Sequence, residues 1–106
     1  GIVIGTLTEG KSGLDTLVVN STASQTTNGY TKVSVSPAKS GDNSYKYKVA
    51  DDCKLPSYLG NVKTYATWDG TSEIEATTGK EIMIIECDPN YRAVKAGITT
   101  VTAKDE

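Results

Sequence analysis

Along much of this chain apolar and polar residues alternate one by one. Tyr30-Thr31-Lys32-Val33-Ser34-Val35-Ser36 puts Val33 and Val35 on one side and Lys32, Ser34 and Ser36 on the other. Tyr45-Lys46-Tyr47-Lys48-Val49 alternates most cleanly, which predicts tyrosines and valine turned inward and Lys46 and Lys48 in water. A period of two is the signature of a β-strand, whose side chains point to opposite faces in turn. Lysines on the outer face would also discourage strand-to-strand aggregation. The run Glu81 to Cys87 differs, because Met83, Ile85 and Cys87 face one way while Ile82 and Ile84 face the other. Apolar residues on both faces predict a central strand covered on both sides, or one whose outer face meets a partner.

Further strands are expected at residues 2–7, 14–20, 63–68 and 73–76, with a hairpin formed by 91–94 and 98–103 around Lys95-Ala96-Gly97. Pro37 ends the strand before it, since proline has no amide to continue a ladder. Asn28-Gly29, Ser40-Gly41-Asp42, Asp69-Gly70, Thr78-Gly79 and Asp88-Pro89-Asn90 mark turns. Asp69-Gly70 and Thr78-Gly79 read as tight hairpin connections, because glycine accepts positive φ without a steric penalty. Residues 51–61, with Leu55-Pro56 and Gly60, read as a long loop crossing from one sheet to the other. No segment supports a helix of two turns. Seven to nine short strands at regular spacing predict an all-β, antiparallel sandwich with Greek-key connections. The whole chain, 1–106, reads as one such domain with its core at about 14–103.

The chain contains no phenylalanine and no histidine, so its large core side chains must come from six tyrosines, Trp68, leucine and isoleucine. Without histidine the usual general base near neutral pH is missing. No Gly-x-Ser-x-Gly elbow is present. Glu73 and Glu75 share one strand face, like the paired carboxylates of a glycosidase, but read better as two solvated acids. Asp51-Asp52 and Asp42-Asn43 offer oxygen ligands for calcium without a recognised loop pattern. The expectation is therefore a protein with no catalytic residue, no cofactor and no metal, hence not an enzyme.

A net charge of −2, with acids and bases interspersed, gives no electrostatic footprint for nucleic acid. No apolar run reaches the roughly 18 residues of a membrane-spanning helix. The start, Gly1-Ile2-Val3-Ile4-Gly5, lacks the basic region of a signal peptide, and Gly1 in place of Met suggests a domain excised from something larger. Cys53 and Cys87 match no metal motif; they admit a disulfide, but two reduced thiols are favoured, with Cys87 acting as a small buried hydrophobe.

Two candidate binding features remain. Tyr65, Trp68 and Asp69 surround an expected hairpin tip, and an aromatic ring beside a carboxylate is a platform for a sugar. The stronger reading of Trp68 places it in the core, as sandwich tryptophans commonly are. The Ile82/Ile84 face is the candidate contact with a partner subunit.

Asn43-Ser44-Tyr45-Lys46-Tyr47-Lys48, Trp68-Asp69-Gly70-Thr71-Ser72-Glu73-Ile74, Thr77-Thr78-Gly79, Ile84-Ile85-Glu86-Cys87-Asp88 and Ala93-Val94-Lys95-Ala96-Gly97 together carry a resemblance. Over about 14–103 the chain resembles the small Ig-like β-sandwich module of tailed-bacteriophage structural proteins. That resemblance implies a non-enzymatic unit on the virion surface, appended to a capsid, head-decoration or tail protein. Its partners would be other virion proteins and host-cell glycans, and its role particle stability or weak adhesion. Cys87 and the Asp51-Asp52-Cys53-Lys54 segment depart from the pattern. The alternative is a carbohydrate-binding or adhesion module of a bacterial cell-wall-associated protein.

Overall fold

In the computed structural model, residues 14–39 and 41–104 are described; the expected strand at 2–7 lies outside them. Eight strands form among these residues: β1 (Asp15–Thr16), β2 (Val18–Ala23), β3 (Tyr30–Ser36), β4 (Ser44–Ala50), β5 (Ala66–Trp68), β6 (Ile74–Glu75), β7 (Glu81–Cys87) and β8 (Ala93–Thr100). They build two sheets, β1-β8-β7-β4-β5 and β2-β3-β6. The result is the expected all-β, Ig-like sandwich, with the last, penultimate and central strands side by side in one layer. One pair departs from the antiparallel expectation: β1 runs parallel to β8.

That parallel pair explains why residues 14–20 are not one strand. From β1 on the five-stranded sheet the chain switches at Leu17 to pair with β3 in the other. Leu17 is buried at the switch, and its amide still donates to the Ala96 carbonyl at 2.9 Å. Here the backbone of Leu17 presses on β8. A Cβ on Gly97 would stand 2.0 Å from the Leu17 carbonyl oxygen. Gly97 is therefore a strand residue kept small by a close approach, and the expected hairpin around Lys95-Ala96-Gly97 is replaced by one continuous strand.

Two other turns have a different role from the one expected. Gly70 and Gly79 do take positive φ, at 89° and 96°. Yet the turns they serve carry the chain between sheets, from β5 to β6 and from β6 to β7, and are not tight hairpins. Conversely, the 51–65 loop does not cross sheets. It joins β4 to β5, which are adjacent and antiparallel in one sheet.

Side-chain alternation on the five-stranded sheet makes two apolar layers. Tyr45, Trp68, Ile82 and Ile84 face the second sheet and pack with Leu17, Val19, Val33, Ile74 and Val101. Met83, Ile85 and Cys87 face outward, where Cys53 and Val62 of the 51–65 loop cover them. Every residue from Ile82 to Cys87 is completely buried. The two-faced pattern of β7 thus reflects a strand roofed by its own chain. Cys53 and Cys87 are both free thiols within this outer layer.

Candidate functional site

The roof over the outer face is where the surface of this domain becomes unusual. Residues 59–62 of the loop lie against residues 91–93 through a short ladder: the Leu59 amide donates to the Ala93 carbonyl at 2.7 Å, Ala93 to Gly60 at 2.9 Å, and Val62 to Tyr91 at 2.8 Å. Leu59 and Tyr91 both adopt φ of 63°. For a residue bearing a Cβ, the left-handed conformation costs roughly 1–2 kcal/mol. It persists at Tyr91 because Asp88 fixes the turn. The Asp88 Oδ1 accepts from the amides of Asn90 and Arg92, both at 2.9 Å, and Oδ2 accepts from Arg92 Nε at 2.9 Å. These bonds, the Arg92 amide first, hold the Asp88 carboxyl below its ordinary pKa.

The strained turn sets the Tyr91 ring among lysines. Lys46 Nζ lies 4.9 Å from the ring centroid and Lys63 Nζ 6.0 Å, while Lys48 Nζ is 6.0 Å from the Tyr65 ring. At these separations an ammonium is attracted to the ring's negative face. Lys46 is only 5% exposed, so the expected solvation of both β4 lysines is corrected for this one. Its ammonium donates to Thr67 Oγ1 at 2.7 Å. Lys48 remains exposed, as expected.

The residues singled out from sequence separate in space. Tyr65 is half-buried against the outer layer, next to Lys48. Trp68 faces the opposite way, 4% exposed in the inter-sheet core and 5.2 Å from the Tyr45 ring. Asp69 is on the surface but works locally: its Oδ1 accepts from the Thr71 and Ser72 amides at 2.8 and 2.7 Å, and Oδ2 from Ser72 Oγ at 2.5 Å. The turn so formed presents the Ser72 carbonyl to Trp68 Nε1 at 2.8 Å. A buried indole with its N–H satisfied has no face for a sugar, so Tyr65, Trp68 and Asp69 do not make one platform. Ile82 and Ile84 are both fully buried between the sheets, so in the folded domain they meet no partner surface.

Three of the acidic candidates are likewise engaged. Asp51 pairs with Lys80 at 2.5 Å and Asp52 with Lys54 at 2.8 Å. Glu73 Oε1 accepts from Ser24 Oγ at 2.7 Å. Among the described residues no three His, Cys, Asp or Glu side chains converge as a metal site would require. An open cleft of about 770 Å³ lies at one end of the sandwich, lined by Asn28, Glu75, Thr78, Lys80 and Lys104 among others. Its Lys80 is the ion-pair partner of Asp51.

Sequence reading missed Tyr91 and the covering of Lys46. The available signal was Asp88-Pro89-Asn90 directly before a tyrosine, a turn strong enough to impose an unusual φ on its exit residue.

Hydrogen bonds from Ser72, then Thr71, hold the Asp69 carboxyl well below the usual carboxylate range. A depressed folded-state pKa adds stability above the unfolded value of about 3.9, and that stability is lost as pH falls toward the folded value. Asp69→Ala should therefore melt at lower urea than the parent at pH 7. The gap between the two should close as the pH is lowered below about 4. A gap that is constant from neutral to acid pH would show that the ionised carboxylate is not what holds the turn.

The chain matches one family model, described as S-layer protein SbsC C-terminal domain, over residues 24–104. No curated protein and no solved structure matches it. The match overturns the expected assignment to a tailed-phage module and its virion location, because the matched domain is that of a bacterial cell-surface protein. It runs from Ser24, just after β2, to Lys104 beyond β8, so it takes in the lysine–tyrosine roof and strands β3 to β8. By that match the chain belongs to the family of S-layer protein SbsC C-terminal domains.

Proposed function

We propose that this domain is a non-enzymatic structural and adhesive module of a bacterial surface-layer protein, carried on the outside of the cell. The observation that carries the reading is the family match across residues 24–104. The architecture supports it. Two apolar layers flank a single central strand, one closed by the second sheet and the other by the 51–65 loop. Asp51 and Asp52 serve ion pairs and Asp69 a turn.

Antibodies against the 106-residue chain should label intact, unpermeabilised cells of the organism that encodes it, and brief protease treatment of those cells should remove the signal. Labelling that appears only after lysis would overturn the reading.

A further inference from the structure

The geometry points to a binding site for an acidic polysaccharide on the outer face, built from Lys48, Lys63, Tyr65 and Tyr91 and positioned by Lys46. The charge pattern is the first support. Among the described residues, Lys54 pairs with Asp52, Lys80 with Asp51, Arg92 with Asp88 and Lys95 with Glu86; Lys32, Lys39 and Lys104 form no ion pair, but only Lys46, Lys48 and Lys63 lie over tyrosine rings. Lys46, Lys48 and Lys63 form no ion pair, although the chain as a whole is acidic. Three ammonium groups are gathered on one face and meet tyrosine rings in place of carboxylates.

The second support is Lys46. A nearly buried ammonium with one hydroxyl and one ring as partners is costly unless something further offsets its lost hydration. Its position beneath Tyr91 makes sense if it holds that ring in place and adds positive potential where an anion docks. The third is the shape of the site. Tyr91, 36% exposed at a strained φ, presents an aromatic surface that does not serve the core. Exposed Tyr58 and Leu59 extend the same roof. Pyranose rings stack on tyrosine through their C–H faces, and uronate carboxylates would take the lysines; a polymer bearing both matches rings and charges together. An acidic protein surface would use the charges but not the pattern of rings.

The test uses the 106-residue chain with polygalacturonate, neutral pullulan and poly-L-glutamate in calorimetry at low and high salt. Polygalacturonate should bind, with affinity falling as salt rises, and pullulan should not. The double variant Lys48→Gln/Lys63→Gln should weaken binding by roughly tenfold or more, the scale of losing charge-assisted hydrogen bonds. Tyr91→Asn keeps a residue tolerant of the left-handed conformation and should also weaken binding. Lys46→Met keeps the apolar stem without the charge; it should melt no earlier than the parent while binding more weakly. Failure of polygalacturonate to bind at low salt would overturn the proposal. So would equal binding of poly-L-glutamate that ignores Tyr91→Asn, since that would make the face a plain acidic-protein dock. Both results are independent of where the parent protein resides, so this inference and the cell-surface reading can fail separately.

Discussion

Gly97→Ala should leave the domain largely unfolded, although it adds a single methyl group. The new Cβ would fall 2.0 Å from the Leu17 carbonyl oxygen and 2.9 Å from Val19 Cγ2. The first of these is backbone, which no rotamer change can clear. The Leu17 carbonyl is fixed because the same residue donates its amide to Ala96, and the chain on either side is paired in opposite sheets. Relief requires the β1–β2 switch to lift from β8, which would uncover Leu17 and open one edge of the inter-sheet core. Overpacking alone costs about 1–3 kcal/mol, and a clash with fixed backbone belongs at or above the top of that range. Against a total stability of about 5–15 kcal/mol, that loss dominates. Gly41→Ala is the control: its φ of 45° costs an alanine roughly 1–2 kcal/mol, but its Cβ would meet nothing within 4 Å. Urea melts should show a small shift for Gly41→Ala and a midpoint reduced several-fold, or no cooperative transition, for Gly97→Ala. Similar midpoints for the two variants would mean the close approach at Leu17 is not rigid.

That residue also shows why only part of the fold is legible in the sequence. Alternation locates β3, β4 and β7 almost to the residue, because each pairs along its length with a neighbour of similar span. Local pattern cannot tell a glycine that turns the chain from one that admits another strand. Gly97 follows Lys95-Ala96 and looks like a turn, yet what keeps it small is Leu17, far away in sequence. The same limit applies to Asp69-Gly70: the turn is real, but whether it closes a hairpin or changes sheets depends on which strands are partners.

The outer face was legible in its charges and hidden in its covering. Lys46 and Lys48 have the same alternation and the same chemistry, and the sequence treats them as equals. The difference arises because the Asp88 turn throws Tyr91 over one and not the other. Connections as long as the 51–65 loop are uncommon in compact domains and often functional. Its length was visible; its destination, folded back over the sheet it left, was not.

Ile84→Asp should abolish folding of the isolated chain, and so decides between the two readings of the β7 apolar faces. Were Ile84 an interface residue on an exposed face, an aspartate there would leave a folded, soluble domain unable to meet its partner. In the structure Ile84 is fully buried, with Tyr47 and Gly97 as its cross-strand neighbours. Gly97 contributes no side chain to that row, and the space is taken by the Leu17 backbone, so the site has little room to let water reach a charge. Removing a buried isoleucine costs about 2–5 kcal/mol by cavity formation alone. An unpaired carboxylate adds several kcal/mol more unless it protonates, and a neutral acid there still lacks hydrogen-bond partners. The sum reaches the whole stability of a domain this size. Ile84→Val, which keeps the branch and loses one methyl, should cost only about 1 kcal/mol. Far-UV circular dichroism and urea melts separate the outcomes. A parent-like spectrum with a cooperative melt for Ile84→Asp would return this face to the surface and undo the two-layer core from which the lysine–tyrosine roof is hung.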